Sequence, residues 1–426
     1  MQFRRATGTL DVLPEDQPYR QHIERAAMES ARLFGFDRIS TPTFESTALF
    51  VRGVGEGTDL IDKEMYSFET KGGDALTLRP EGTAPVMRAF LEHGMQSRSM
   101  PVRLYYVVPI YRHDRPGAGR YREHTQFGAE CIGIADSSAD AEVVALAWEF
   151  YRRCGLEGLE LQLSNIGDEV CRPAYVTALR AYYASRLDLA CATCRERYER
   201  NPIRLLDCKV PTCQPIIDGA PKPMDYLCDA CKEHFDALQA HLRSLAIPFR
   251  LNPRLVRGLG YYTRTVFEVY PPIRGAQSAV GGGGRYDRLI EELGGKPTPA
   301  VGFGIGLERI ILNLREQGMK VAQEHPTIYV AAVGEPARHH VLPLLQELRS
   351  ADISAVGVID QRGLKAQLRQ ADSLGVTYAA ILGDDEIATG TVQLKYLKSG
   401  EQQNVARGGP LLDAILAPKV ETTRSS

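Results

Sequence analysis

The sequence predicts a mixed α/β protein built as two or three domains. Three observations support this. A strand–loop–strand unit occupies residues 103–133, strands alternate with helices over residues 328–416, and a polar linker at 316–326 separates the two regions. At 426 residues, 44% of them hydrophobic, the chain is long enough to bury a large core.

Taken in order, residues 15–34 read as a helix. Ile23, Ala26, Ala27, Ser30, Leu33 and Phe34 fall near one face, and Gly35 stops it. Residues 36–42 read as a strand ended by Pro42, and 44–51 as a short second helix. Residues 76–79 form a short strand running into the turn Pro80-Glu81-Gly82-Thr83, and 84–93 look helical. Residues 137–154 form an amphipathic helix with the only tryptophan, Trp148. A strand follows at 159–164, then a helix from Val170 to about Leu189. Residues 265–270 are a strong strand, rich in β-branched and aromatic side chains. Beyond the linker, strands are expected at 328–333, 354–359, 378–382 and 391–397, with helices at 339–351, 364–374 and 411–416. The end, 419–426, is expected to fray.

The formal net charge is −2, so any polyanion site must be local. No apolar run is long enough to cross a bilayer, and the opening stretch MQFRRATGTLDVLPEDQ lacks the apolar core of a signal peptide. Nine cysteines without such a signal point to a reducing compartment, with the cytoplasm expected.

The 103–133 unit concentrates chemistry. Its loop carries Arg112, Arg115, Arg120 and Arg122 among Pro116, Gly117 and Gly119. In the return strand, period-2 spacing puts Gln126, Gly128 and Glu130 on one face. Arginine's planar fork suits phosphate oxygens, so a polyanion beside a smaller polar ligand fits this unit. A solvated hairpin tip has the same local sequence. Glu81, in its Pro-Glu-Gly turn, could hold an amine. A carboxylate favoured by the dipole of the following helix fits equally well.

Residues 191–231 hold six of the nine cysteines. The pairs Cys191/Cys194 and Cys228/Cys231 can supply four thiolates to a structural zinc ion. Cys208 and Cys213 are surplus to that set, and Cys191 and Cys194 with Cys208 and Cys213 is the alternative. Buried thiols without metal also fit. No nearby histidine pair or carboxylate completes a hydrolytic zinc site.

Residues 255–270 read LVRGLGYYTRTVFEVY, with Arg257, Gly258, Gly260, Tyr261 and Tyr262 ahead of the strand. Glycine lets a backbone approach a ligand closely, while tyrosines more often pack in a core. Residues 279–287 are a glycine run opening into a helix at 287–293, without Walker or Rossmann spacing. In residues 300–310, alternating glycines clear one face of a strand, a floor for something flat, with Arg309 in the first turn of the next helix.

Together these stretches resemble the class II aminoacyl-tRNA synthetases and, more closely, the histidyl-tRNA synthetase family. Residues 36–56 are similar to the class's motif 1, a dimer-interface element, 103–133 to motif 2 and 300–310 to motif 3. Residues 255–268 resemble the histidine-specific signature peptide, and 281–287 the glycine-rich one beside it. The resemblance implies an antiparallel sheet flanked by helices in a catalytic domain at 1–325, which includes a helical, cysteine-rich insertion at about 170–250. It places an α/β anticodon-binding domain at 326–418, followed by the tail at 419–426. The implied activity joins L-histidine to ATP, with Mg2+, as histidyl-adenylate, releases pyrophosphate, and transfers histidine to the 3′ end of tRNA-His. The implied protein is a cytoplasmic homodimer.

Residue roles carry over by motif position. Glu81 and Thr83 would hold the α-ammonium of histidine, and Gln126 would contact its backbone groups. Glu130, with Tyr262, would read the imidazole ring, and Tyr261 lies beside it. Arg112 would grip the α-phosphate, Arg309 the γ-phosphate and adenine, and Arg257 the α-phosphate from the opposite side. Arg115 and Arg120 are candidates for tRNA contact. Two positions depart from the family pattern. His124 stands where an aromatic residue packs on adenine, and Gly260 stands where Asp is common. Two other readings compete. One is the non-catalytic, histidine-sensing regulatory subunit of ATP phosphoribosyltransferase, which generally lacks the C-terminal domain and parts of the ATP site. The other is a zinc-containing RNA-binding protein without catalysis, which leaves the glycine strand and Tyr261-Tyr262 unexplained.

Overall fold

The computed structural model describes residues 3–55, 58–272, 279–357 and 362–417. The expected tail at 419–426, and the ends of the expected motif 1 and of the 354–359 strand, lie outside the described residues. The chain forms two compact units, Met1–Val321 and Ala322–Ser426.

The first unit is built on an eight-stranded sheet. Its spatial order is Asp37–Arg38, Val102–Tyr111, Glu123–Ile132, Ala300–Gly306, Gly281–Arg285, Thr263–Tyr270, Glu160–Asn165 and Phe249–Leu251. Only the two outermost pairings are parallel. Strand alternation divides the side chains between two cores. Phe127, Ala129, Cys131, Val301, Phe303 and Ile305 pack on one face, under the helices Gln17–Leu33 and Ser137–Cys154. The other face carries Tyr106, Val108, Ile110, Tyr261, Tyr262 and Tyr286. Gln126, Glu130 and the glycines 302, 304 and 306 alternate onto this second face.

The Ser137–Cys154 helix has the bounds its pattern predicts, and its caps explain why. Asp136 accepts from the Ser138 N–H at 2.8 Å, and Gly155 ends the helix with φ +84°. Other elements differ from expectation. Residues 44–46 are a strand, not the start of a helix, and the helix is Thr47–Val54. The strand Phe44–Ser46 pairs with Ala75–Leu78, which also pairs with Tyr66–Glu69, in a small separate sheet. Three to four residues give too short a run for alternation to show. The glycine run is likewise a strand, Gly281–Arg285. Glycine is a poor strand former, but here the neighbours leave no room for anything else. A Cβ on Gly283 would stand 2.0 Å from the Gly302 carbonyl oxygen. The helix after it is only Leu289–Glu292.

The cysteine-rich stretch is helical and belongs to the first unit, with helices Arg172–Ala184, Ala192–Arg200, Gln214–Asp218 and Asp229–Ser244. Arg197 and Arg204 both reach Asp59, at 2.8 and 3.1 Å, and Arg204 also donates to the Gly258 carbonyl at 2.9 Å. The second unit is a five-stranded mixed sheet, ordered Ala355–Gly357, Ile328–Ala332, Tyr378–Leu382, Thr391–Tyr396 and Gln402–Ala406. Val330, Leu344, Leu348 and Leu394 fill its core. The strand Gln402–Ala406 and the helix Asp384–Thr389 carry too few apolar residues to announce themselves in sequence. No described helix is long and apolar enough to cross a membrane.

Candidate active site

The second face of the large sheet gathers most of the residues singled out by sequence. Glu130 lies at its centre, fully buried. Its Oε1 accepts from the Thr83 hydroxyl at 2.8 Å and the Tyr106 hydroxyl at 3.0 Å, and its Oε2 accepts from the Tyr286 hydroxyl. Burial pushes the carboxyl up to about 8, against the lowering effect of those donors. Glu81 is also buried. Its two oxygens accept the Thr83 and Ala84 N–H groups, each at 2.7 Å, at the start of the helix Thr83–Glu92. The Tyr261 hydroxyl approaches the same carboxylate at 3.4 Å. Burial raises this carboxyl as well, and the two N–H donors oppose it. Oε1 has the Ala84 N–H as its one donor, so Glu81 retains acceptor capacity there for an amine.

The alternating glycines of Ala300–Gly306 do a different job from the one their pattern suggested. A Cβ on Gly302 would stand 1.8 Å from Glu130 Oε2, and one on Gly304 would stand 1.9 Å from Gln126 Nε2. The cleared space at these two positions is filled by the protein's own carboxylate and amide. Only Gly306 faces open space, with His124 Cδ2 nearest at 3.9 Å. The buried Gln126 Oε1 has no hydrogen-bond partner. A buried acceptor left so is costly, and a donor on a ligand would satisfy it.

Arginines form the rest of the site. Arg112 is held by its Nε–H, which donates to the Pro80 carbonyl at 2.7 Å. Arg257 pairs with Glu268 and lies over the Tyr262 ring, 5.7 Å from its centroid, while its buried Nε has no partner. Arg309 donates to the carbonyls of Gly119 at 3.1 Å and Ala279 at 2.5 Å. Burial, then Arg120 and Arg112, and also Arg257, lower the Arg309 pKa, so these cations share one electrostatic neighbourhood. Burial, Arg112 and Arg309 push His124 down to about 3. His124 is therefore a neutral ring at pH 7. Arg120 is paired with Asp114, and Arg115 is exposed at the loop tip.

Tyr262 is turned toward Arg257 and is not a hydrogen-bond donor to Glu130. Tyr286 and Tyr106 take that place, and neither was singled out. Two signals were available. Tyr286 directly follows the glycine strand, and Tyr106 is paired across the sheet with Gly128, whose missing side chain admits the Tyr106 ring. Gly260 also has a local reason, because a Cβ there would stand 2.5 Å from the Val54 carbonyl oxygen.

The cysteines do not form the set Cys191, Cys194, Cys228 and Cys231. They divide into two groups. Cys191 and Cys194 lie with Cys208 and Cys213, and Cys228 and Cys231 lie with Cys171 and Asp168. The first pair opens one helix and the second pair another, Ala192–Arg200 and Asp229–Ser244, and each helix takes its own partners.

A largely antiparallel sheet carrying an arginine-lined hairpin, a glycine strand leading into an arginine helix, and a buried polar pocket defines a class II aminoacyl-tRNA synthetase. The chain matches the family model described as histidyl-tRNA synthetase over residues 8–181 and 219–310, and one described as an anticodon binding domain over residues 327–409. It is 52% identical to a histidine–tRNA ligase of Dehalococcoides mccartyi, covering 95% of this chain and 97% of that one. The ligase of Desulforudis audaxviator is 48% identical, over 96% and 97%. The structure of apo histidyl-tRNA synthetase from S. aureus superposes with a TM-score of 0.81 at 34% identity, covering 97% of this chain and 99% of that one. The chain belongs to the histidyl-tRNA synthetase family. These matches do not favour the regulatory-subunit alternative. A structure titled as such a subunit or synthetase from Bacillus halodurans, at 22% identity and a TM-score of 0.65, shares the fold.

Proposed function

We propose that this chain ligates histidine to tRNA-His in two steps, and that the residues above divide the work as follows. Glu81 and Thr83 hold the α-ammonium group, and the free lone pair on Gln126 Oε1 accepts from the amino acid's backbone. Glu130 reads the imidazole ring with Tyr262, while Tyr261 closes the pocket beside it. Tyr286 and Tyr106 hold the Glu130 carboxylate in place. The observation that carries this reading is the fully buried Glu130 carboxyl, ringed by hydroxyls and on the same strand face as the unpartnered Gln126 amide oxygen. Such a site rejects apolar analogues, which would leave its polar groups unpaired.

ATP enters with Mg2+ as substrate. The histidine carboxylate attacks the α-phosphorus and pyrophosphate leaves. Charge spreads over the phosphoryl oxygens, so positioned cations serve better than a general base. Arg112 and Arg257 supply that charge at the α-phosphate, and Arg309 does so at the γ-phosphate. His124, neutral and next to the open Gly306, offers a flat face to adenine. Arg115 and Arg120 contact the tRNA, and the second unit reads the anticodon.

We also propose a cytoplasmic homodimer. Phe44 and Phe68 support it, meeting edge-on at 6.3 Å on the small sheet while 50% and 43% exposed. Cys191, Cys194, Cys208 and Cys213 fit a structural zinc ion. Cys191 and Cys208 sulfurs are 3.8 Å apart, and N–H groups of Cys191 and Val210 point at the sulfurs of Cys213 and Cys208 at 3.3 and 3.4 Å. Backbone donors of this kind stabilise thiolates.

Charging assays with labelled histidine test the reading. Acid-precipitable histidine should accumulate on a tRNA-His transcript and not on other transcripts. Protein that is folded and binds histidine but charges no tRNA would contradict it.

A further inference from the structure

We infer a second metal site, distinct from the four-cysteine group and made of Asp168, Cys171, Cys228 and Cys231. The ligand atoms all lie within 4.8 Å of one another. The Cys171 and Cys231 sulfurs are 3.8 Å apart, Asp168 Oδ1 is 3.5 Å from the Cys171 sulfur, and the Cys228 sulfur is 4.0 Å from that same oxygen. A tetrahedral zinc ion with ordinary bond lengths spans sulfur–sulfur edges of about 3.8 Å and sulfur–oxygen edges of about 3.5 Å. The Cys171–Cys231 and Asp168–Cys171 separations match those edges and the Cys228–Asp168 one is longer, while the Cys171–Cys231 distance is far beyond an S–S bond of about 2.05 Å. All nine cysteines are free.

The donor set selects the metal. Three thiolates with one carboxylate suit zinc and not the hard oxygen-seeking cations. Three thiolates and a carboxylate around a divalent ion leave a net charge of about −2. Two arginines stand ready to offset it. Arg264 binds the outer oxygen of Asp168 through Nε at 3.3 Å and Nη2 at 3.2 Å, while Oδ1 accepts the Val170 and Cys171 N–H groups at 3.1 and 3.4 Å and is held facing the sulfurs. Arg172 follows Cys171 and donates to the carbonyls of Gly167 and Tyr262, at 2.8 and 2.7 Å. Outer partners of this kind orient a ligating carboxylate.

The position of the site gives it a purpose. Asp168 and Cys171 stand where the chain leaves the sheet strand Glu160–Asn165 for the helical insertion. Cys228 and Cys231 stand at the start of Asp229–Ser244, where the insertion returns. A metal here clasps the insertion at its base. It also fixes Arg264, whose φ of +49° is strained for a side chain of this size and whose neighbours begin the histidine signature strand. The Arg264 N–H donates to the Gly167 carbonyl at 2.8 Å, and its carbonyl accepts from Ile166 at 2.9 Å, so the clasp and the strand move together.

Metal analysis of the intact protein, purified under reducing conditions, tests the inference. Two zinc ions per chain are expected. Cys228→Ser with Cys231→Ser should hold one, and Cys191→Ser with Cys194→Ser should also hold one. Arg264→Gln should keep both sites while weakening the clasp about 10-fold or more against a competing chelator. A single zinc that vanishes in the Cys191/Cys194 variant, or a Cys171–Cys231 disulfide in freshly purified protein, overturns the second site and leaves the first standing. If the Cys228/Cys231 variant fails to fold, the wild-type stoichiometry and the Arg264→Gln affinity still decide.

Discussion

Gly302 and Glu130 face each other across the antiparallel pair, and a Cβ on Gly302 would stand 1.8 Å from Glu130 Oε2. The glycine makes room for the carboxylate. Gly302→Ala should therefore displace Glu130 and cost about 1–3 kcal/mol of stability through overpacking. A shift of this kind at a reacting site can reduce turnover by about 100-fold. Thermal unfolding and pyrophosphate exchange on the same preparation check both effects. Unchanged exchange would mean that Glu130 has latitude the structure does not show.

Tyr286 donates to that same oxygen of Glu130. Tyr286→Phe removes a buried hydrogen bond to Glu130 and leaves its oxygen short of a donor, a loss of about 1–3 kcal/mol, so kcat/KM for histidine should fall about 5- to 100-fold. The KM for ATP should stay near its wild-type value. Steady-state kinetics in each substrate separates the two.

These two tyrosine and glycine contacts mark the limit of what the sequence reveals. The hairpin strands, the Glu81 turn and the Ser137–Cys154 helix are legible because alternation, turn residues and caps are local signals. Tyr286 was missed because its partner, Glu130, is 156 residues away. The glycine strand was missed because a run without side chains has no periodicity to read. The cysteine grouping stays open between two sets in the sequence for a related reason, and the structure takes the set Cys191, Cys194, Cys208 and Cys213. Cys171 lies 60 residues from Cys231, and CxxC spacing indicates which thiols are neighbours in a turn but not which turns meet.

Glu130 also sets a pH signature. Its carboxyl is raised to about 8 in the folded protein from an ordinary value of 4.5. Between those values the folded state binds the extra proton, so stability falls as pH rises. The contribution is fully present below about pH 4.5 and lost as pH passes through about 8. Without histidine, the wild type should lose melting temperature from pH 5 to 8 more steeply than Glu130→Gln does. Parallel slopes would show that Glu130 is ionised throughout.

The four-cysteine group is predicted to be structural. Cys208→Ser should release its metal and open the 192–218 segment to limited proteolysis, while histidine-dependent adenylation persists. Loss of adenylation in protein that still resists proteolysis would point instead to a catalytic role for the metal.

The most direct test is histidine-dependent ATP–pyrophosphate exchange, with Arg257→Ala beside the wild type. Exchange that requires histidine, ignores other amino acids and collapses in the variant establishes adenylate formation at this site. Folded, histidine-binding protein without exchange, or exchange that survives Arg257→Ala undiminished, would contradict the assignment of the chemistry to these arginines.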